Sequence, residues 1–149
     1  MNRRHLLSAA AAASLAAVAQ SASAAHEQHA HGGHHNGATR ATHADLVAAA
    51  SECVATGQVC LAHCIRLLSE GDDSMGDCAK TLNQVLPLCG ALQNLAAQGA
   101  TLTPALAKVA GQACAECAEA CKPHVDHHAE CKACYEACQA CIKQCEALA

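Results

Sequence analysis

From residue 43 onward, apolar and polar residues recur in steps of three and four, the spacing that sets side chains along one face of an α-helix. Four such stripes follow one another, separated by short breaks. The first, over about 43–69, aligns Leu46, Ala50, Cys53, Gly57, Cys60, Cys64 and Leu67. Gly71-Asp72-Asp73-Ser74 then reads as a turn, with Ser74 as the next N-cap and Asp77 three residues on. The second stripe, over about 75–98, aligns Met75, Cys78, Leu82, Val85, Cys89, Leu92 and Ala96, and Pro87 is expected to kink it. "QGATLTP" interrupts the pattern, with Thr103-Pro104 read as N-cap and first helical residue. The third stripe aligns Leu106, Ala110, Ala113, Cys114, Cys117 and Cys121. After a turn around Pro123, a fourth helix is expected from about Asp126 to the end. It carries Cys131, Cys134, Cys138, Cys141 and Cys145 on one face. No segment alternates as a strand does. Helices of comparable length joined by short loops predict an all-α, up-down-up-down four-helix bundle over residues 43–149.

The chain before residue 43 is of another kind. Residues 1–24 have a charged start, an Ala-rich apolar run and a small-residue site at Ala22-Ser23-Ala24, which reads as a signal peptide. Arg3-Arg4 followed by His5-Leu6-Leu7 resembles a twin-arginine signal; an ordinary secretory signal with two coincidental arginines is the alternative. Either way the expectation is an exported, periplasmic protein that is off the membrane once the signal is removed. Residues 25–42 form a flexible segment in which His26, His29, His31, His34 and His35 sit among glycines. Such a tract is either a loose metal binder or a solvated linker.

Composition sharpens this picture. The chain has 149 residues, Tyr135 as its one aromatic residue, and a 52% hydrophobic fraction made mostly of Ala, Leu and Cys. A core this poor in aromatics buries little area per residue, so something further is expected to help hold it together. Removal of Arg3 and Arg4 with the signal leaves 7 basic residues against 13 acidic ones, a net charge of −6. An acidic surface without base-stacking aromatics argues against nucleic acid as a partner.

The chemistry lies in the thirteen cysteines. Their number is odd, and they repeat along helices instead of sitting in loops that bridges would staple. Every one lies on the apolar stripe of its helix, with Lys, Glu, Asp and Gln on the other faces, so the thiols are expected to point into the bundle. One or two buried thiols are ordinary packing; thirteen on one axis ask for another explanation. In an up-down bundle Cys64, Cys78, Cys121 and Cys131 gather at one end with Met75, His124, His127 and His128, and with His63 nearby, which reads as a surface residue rather than a ligand. The other end gathers Leu46, Leu92, Leu95, Leu102, Leu106 and Leu148, a sealed floor.

Thiolate and thioether ligands select Cu(I), zinc or iron–sulfur clusters. Iron–sulfur motifs sit on loops, and structural zinc takes closed groups of four. Thiols at i and i+4, with Cβ atoms about 5–6 Å apart, can turn toward one ion, which suits a column of many Cu(I) ions. Charge agrees, because one Cu(I) replacing one thiol proton leaves the core neutral. Loading should therefore release protons and weaken as pH falls.

"CAECAEAC" at 114–121 and "HHAECKACYEACQACIKQC" at 127–145 resemble the bacterial copper storage proteins over residues 43–149. The resemblance implies a four-helix bundle that stores many Cu(I) ions on all thirteen cysteines. It also implies Met75, His124 and His127 or His128 near the mouth, a homotetramer, and donor or recipient copper proteins as partners. The rival readings are a metallothionein-like zinc or cadmium buffer, a thiol–disulfide oxidoreductase built on "CAEC" or "CKAC", and a disulfide-stapled bundle. No paired carboxylates, nucleophile elbow or phosphate loop point to catalysis, so no enzymatic activity is expected.

Overall fold

The computed structural model describes residues 37–148, with side chains from His43 onward. The expected signal peptide at 1–24 and residues 25–36 of the His-rich segment lie outside the described residues. Four helices follow: α1 (Gly37–Ser69), α2 (Gly76–Ala97), α3 (Thr103–Cys121) and α4 (Ala129–Glu146). Short 3-10 turns at Asp73–Met75 and Lys122–His124 lead into α2 and out of α3. Helix α1 packs on α2 and α4, and α3 packs on the same two, while the diagonal helices meet only through side chains in the middle, as where the Cys53 and Cys114 sulfurs lie 3.9 Å apart. The four helices thus close a ring around one central column, the up-down-up-down bundle expected from the periodicity.

Several boundaries differ from expectation, each for a local reason. Helix α1 begins at Gly37 instead of 43, since Ala38 to Thr42 contain neither proline nor glycine to stop it. Ser74 is not the cap of α2. The Asp72 carboxylate accepts both the Ser74 N–H (3.1 Å) and its hydroxyl (2.6 Å), which caps the 3-10 turn one step earlier. Helix α2 includes Pro87, as expected, and continues past it to Ala97. The proline is exposed, so water can serve the Asn83 carbonyl that loses its donor there. Thr103 lies inside α3 with Leu102 as the N-cap, and its fully buried hydroxyl has no hydrogen-bond partner. Helix α4 starts at Ala129, because the His124 carbonyl accepts from both His127 N–H (3.1 Å) and His128 N–H (2.9 Å) and holds the chain in a turn.

The core is narrow because its residues are small. Leu46, Leu82, Leu92, Val85 and Met75 are its largest members, and the rest of the column is Cys and Ala. The expected floor is only partly right. Leu46 and Leu92 are fully buried and Leu106 and Leu148 pack against the core, but Leu102 is 65% exposed and Thr103 takes the inward place. Thr103 is the first residue of α3 and shares the inward face with Ala107, Ala110 and Cys114, whereas Leu102, the residue before the helix, lies off that face.

Close approach of α3 and α4 depends on Gly111, where an added Cβ would lie 3.1 Å from the Cys145 Cβ. Gly90 has nothing within 4 Å. Gly111→Ala should therefore cost about 1 kcal/mol net, overpacking outweighing helix propensity, whereas Gly90→Ala should gain about 0.5–1 kcal/mol. Chemical denaturation of the copper-free protein checks both signs; stabilisation by both substitutions would show that Gly111 is not a packing glycine.

Candidate metal centre

Each helix contributes thiols because its apolar stripe carries them. Cys53, Cys60 and Cys64 come from α1, Cys78 and Cys89 from α2, and Cys114, Cys117 and Cys121 from α3. Cys131, Cys134, Cys138, Cys141 and Cys145 come from α4. All thirteen are buried, at most 3% exposed, and all are free thiols. Antiparallel neighbours set these stripes against one another, so sulfurs from different helices meet. Cys78 and Cys121 lie 3.1 Å apart, Cys89 and Cys114 3.5 Å, Cys53 and Cys138 3.7 Å, and Cys60 and Cys131 3.7 Å.

These contacts resolve into five groups whose ligand atoms all lie within 4.8 Å of one another. At the end where α2 and α4 begin stands Cys60, Cys64, Cys78 and Cys131. Below it come Cys60, Cys121 and Cys134, then Cys117, Cys134 and Cys138. Cys53, Cys114 and Cys138 follow, and Cys89, Cys114 and Cys141 complete the series. Consecutive groups share Cys60, Cys134, Cys138 and Cys114 in turn, so the groups form one continuous ladder. Cys145 belongs to none of them, although the sequence placed it in line with its four neighbours on α4.

The spacing fits a small soft ion. With thiolate bonds of about 2.3 Å, a trigonal site spaces its sulfurs about 4.0 Å apart and a linear one about 4.6 Å. The observed groups reach either value with side-chain rotation alone. Electrostatics allow few of these thiols to ionise together. Burial, followed by the charge of Cys78, pushes Cys64 up to about 12. Hydrogen bonds to neighbouring sulfurs, Cys114 first, raise Cys89 and Cys138 as well. Cys53 is the counterpart: hydrogen bonds from Cys114 and Cys138 stabilise its thiolate and lower it to about 5. The ladder thus sets a thiolate beside thiols that donate to it, and an incoming cation must displace protons to be bound by the rest.

The end above the first group holds the other predicted ligands. Met75 is buried at the end of its 3-10 turn. The His124 and His128 ring centroids are 6.1 Å apart, and His127 is exposed. His63 is not the surface residue expected. Its side chain is only 10% exposed, its Nε2 lies 3.0 Å from His128 Nδ1, and its Nδ1 lies 3.4 Å from a Glu130 carboxylate oxygen. Its position next to Cys64 was a usable signal. Missing from the sequence was the knowledge that α4 stands against that flank of α1.

The family model described as copper storage protein matches residues 39–149. No curated protein matches the chain. Among solved structures, a cytosolic copper storage protein from Streptomyces lividans, studied during copper loading with five coppers, has a TM-score of 0.69 and is 23% identical. That match covers 76% of this chain and 96% of the other. The copper storage protein Ccsp from Streptomyces lividans, loaded with 10 copper equivalents, has a TM-score of 0.66 and is 22% identical, over 72% of this chain and 83% of its own.

These findings correct one expectation. The periplasmic location read from residues 1–24 is overturned by the match to a protein described as cytosolic. The physical reason is that this fold does not need an export route to protect its thiols, since a reducing compartment keeps them free. A bundle that sets thirteen cysteines inward, matched over residues 39–149, belongs to the copper storage protein family.

Proposed function

We propose that this chain stores its copper as Cu(I) on the ladder of inward thiolates, with Cys145 as an outlying ligand and His63, Met75, His124 and His128 guarding the entrance. The observation that carries the reading is the sharing of Cys60, Cys114, Cys134 and Cys138 between successive groups. A thiolate bridges soft monovalent ions readily, so shared sulfurs let one bound ion lie beside the next along the whole column. Isolated four-sulfur cages, the pattern of structural zinc, would not share ligands in this way. Capacity, enclosure and a single furnished end together favour storage over handover from one exposed site. Donor and recipient proteins would meet the chain at the histidine end, and a homotetramer is the assembly the family resemblance implies. The "CAEC" thiols Cys114 and Cys117 are fully buried midway through α3, a poor position for disulfide exchange with another protein.

Anaerobic titration with Cu(I) against a competing chelator tests the reading. The expected outcome is saturation near one copper per cysteine, with zinc unable to displace copper at limiting thiol. Saturation at one or two equivalents would replace storage with a single-site carrier.

A further inference from the structure

Buried Leu46 and Leu92 close the column along its axis at the end away from the histidines, so a second way to the thiols has to run between two helices. Between α1 and α2 that way is shut. The half-buried Leu86 covers Gly57, where an added Cβ would lie 2.9 Å from the Leu86 Cδ2 and 3.4 Å from the Leu82 Cδ2. Between α3 and α4 it is not. Beyond its own helix, a Cβ added at Gly111 would meet only Cys145 within 4 Å, the Cβ at 3.1 Å and the Sγ at 3.8 Å. Ala107, Gly111 and Ala115 recur every four residues along this side of α3, and their small size leaves an outer groove of about 260 Å³ that Cys145 also lines. Cys145 is the most exposed of the thirteen thiols, at 3%, where the others stand at 0 or 1%. It lies one turn beyond Cys141, a member of the last ladder group, on the same face of α4. Cys145 thus borders the ladder on one side and the groove on the other.

The charges and the size of the groove define its occupant. Lys108 lines it from α3 and Glu146 from α4, and neither has an ion-pair partner among the described residues. An unpaired cation and an unpaired carboxylate over an apolar bed complement a zwitterion, whose carboxylate meets Lys108 and whose ammonium meets Glu146. Sites for drug-sized ligands run to roughly 300–1,000 Å³, so a groove of about 260 Å³ takes something smaller, of amino-acid size. The sulfur at its base asks for sulfur in the ligand, since a soft donor is what competes with a thiolate for Cu(I).

We infer that the α3–α4 groove binds a small amino-acid thiol, of cysteine's class, and that Cys145 passes it copper from the far end of the ladder. This rests on the Cu(I) storage reading above. The exchange conserves charge and oxidation state. The S–H bond of the incoming thiol breaks and its sulfur bonds Cu(I); the bond from Cu(I) to the Cys145 Sγ breaks, and the proton passes to Cys145. Copper enters and leaves the exchange as Cu(I). A vacated Cys145 is refilled from the neighbouring group of Cys89, Cys114 and Cys141. The histidine end and the groove stand at opposite ends of the column, so loading and withdrawal do not compete for one opening.

Anaerobic withdrawal of copper by L-cysteine from the loaded protein tests the groove, with the copper left per chain read by mass spectrometry over time. Ala115 is exposed, so Ala115→Phe can fill the groove without entering the core. It should slow withdrawal at least tenfold, with helical circular dichroism and copper equivalents at saturation unchanged, because Ala115 is not a copper ligand. Lys108→Glu should lower the rate with L-cysteine several-fold relative to the rate with 2-mercaptoethanol, a thiol without charge. Wild-type rates in Ala115→Phe, or a Lys108→Glu protein in which the ratio of the two rates is unchanged, would overturn the inference. The equivalents bound before any thiol is added report on storage separately. A full count with unaffected rates removes the groove's role and leaves the column as the store, whereas saturation at one or two equivalents removes both.

Discussion

Cys138→Ala lowers the copper bound per chain by about two ions, whereas Cys145→Ala lowers it by one at most. The difference follows from the ladder and not from residue type. Cys138 belongs both to the group with Cys53 and Cys114 and to the group with Cys117 and Cys134, so its loss leaves two groups with two sulfurs each. Cys145 belongs to none. Both residues lie on the same face of α4, both are buried, and the same atom is removed in each case. Cys114 and Cys134 should behave as Cys138 does, whereas Cys60→Ala should cost less, because its four-sulfur group keeps three ligands. Alanine is small enough to keep the fold, since a thiol contributes about as much packing as a methyl group with a modest extra volume. Metal content by mass spectrometry after anaerobic saturation reads the result directly. Equal losses at positions 138 and 145 would mean that each thiol holds its own ion and that sharing plays no part.

Copper affinity should fall about tenfold per unit of decreasing pH for each proton that copper displaces. The thiols of Cys64, Cys89 and Cys138 are all raised above 9.0, so near neutral pH each still carries its proton. Cu(I) must therefore exchange with a proton at each of them, and a filled column approaches electrical neutrality. Proton release into weakly buffered solution during loading measures the exchange, and a flat affinity between pH 6 and 8 would contradict it. The same raised thiols set the alkaline limit of the copper-free fold. In the unfolded chain Cys64 ionises near 9.0, but in the bundle burial and the Cys78 charge delay it to about 12. Its contribution is intact below pH 9 and is lost as pH rises from 9 to 12, because there the unfolded chain gains by ionising and the folded chain does not. Thermal unfolding should thus shift to lower temperature across that window for the copper-free protein. The copper-loaded protein, with no thiol proton to lose, should show a much smaller shift.

The helices and the inward thiols were legible in the sequence because both are local. A period of 3.6 residues fixes which side chains share a face, and apolar stripes have one place to go in a bundle. Short loops at 70–75, 98–102 and 122–128 then fixed the up-down order and with it the end that gathers Cys64, Cys78, Cys121 and Cys131. The cap residues were less legible. Ser74 and Thr103 have the right chemistry for N-caps, yet Asp72 outcompetes the first with a charged acceptor, and Leu102 takes the second's place.

What the sequence determined by itself, then, is how many thiols face inward and along which helix. The tertiary structure decided which of them share an ion's space. Cys60 and Cys131, or Cys53 and Cys138, meet only through the axial register of two helices, and a shift of one residue, about 1.5 Å with a rotation of 100°, would redistribute every group. The same holds for His63, which reaches His128 only because α1 and α4 are neighbours, and for Cys145, which the stripe includes and the ladder omits. Periodicity is a property of one helix; coordination is a property of distances between helices, which no local pattern encodes.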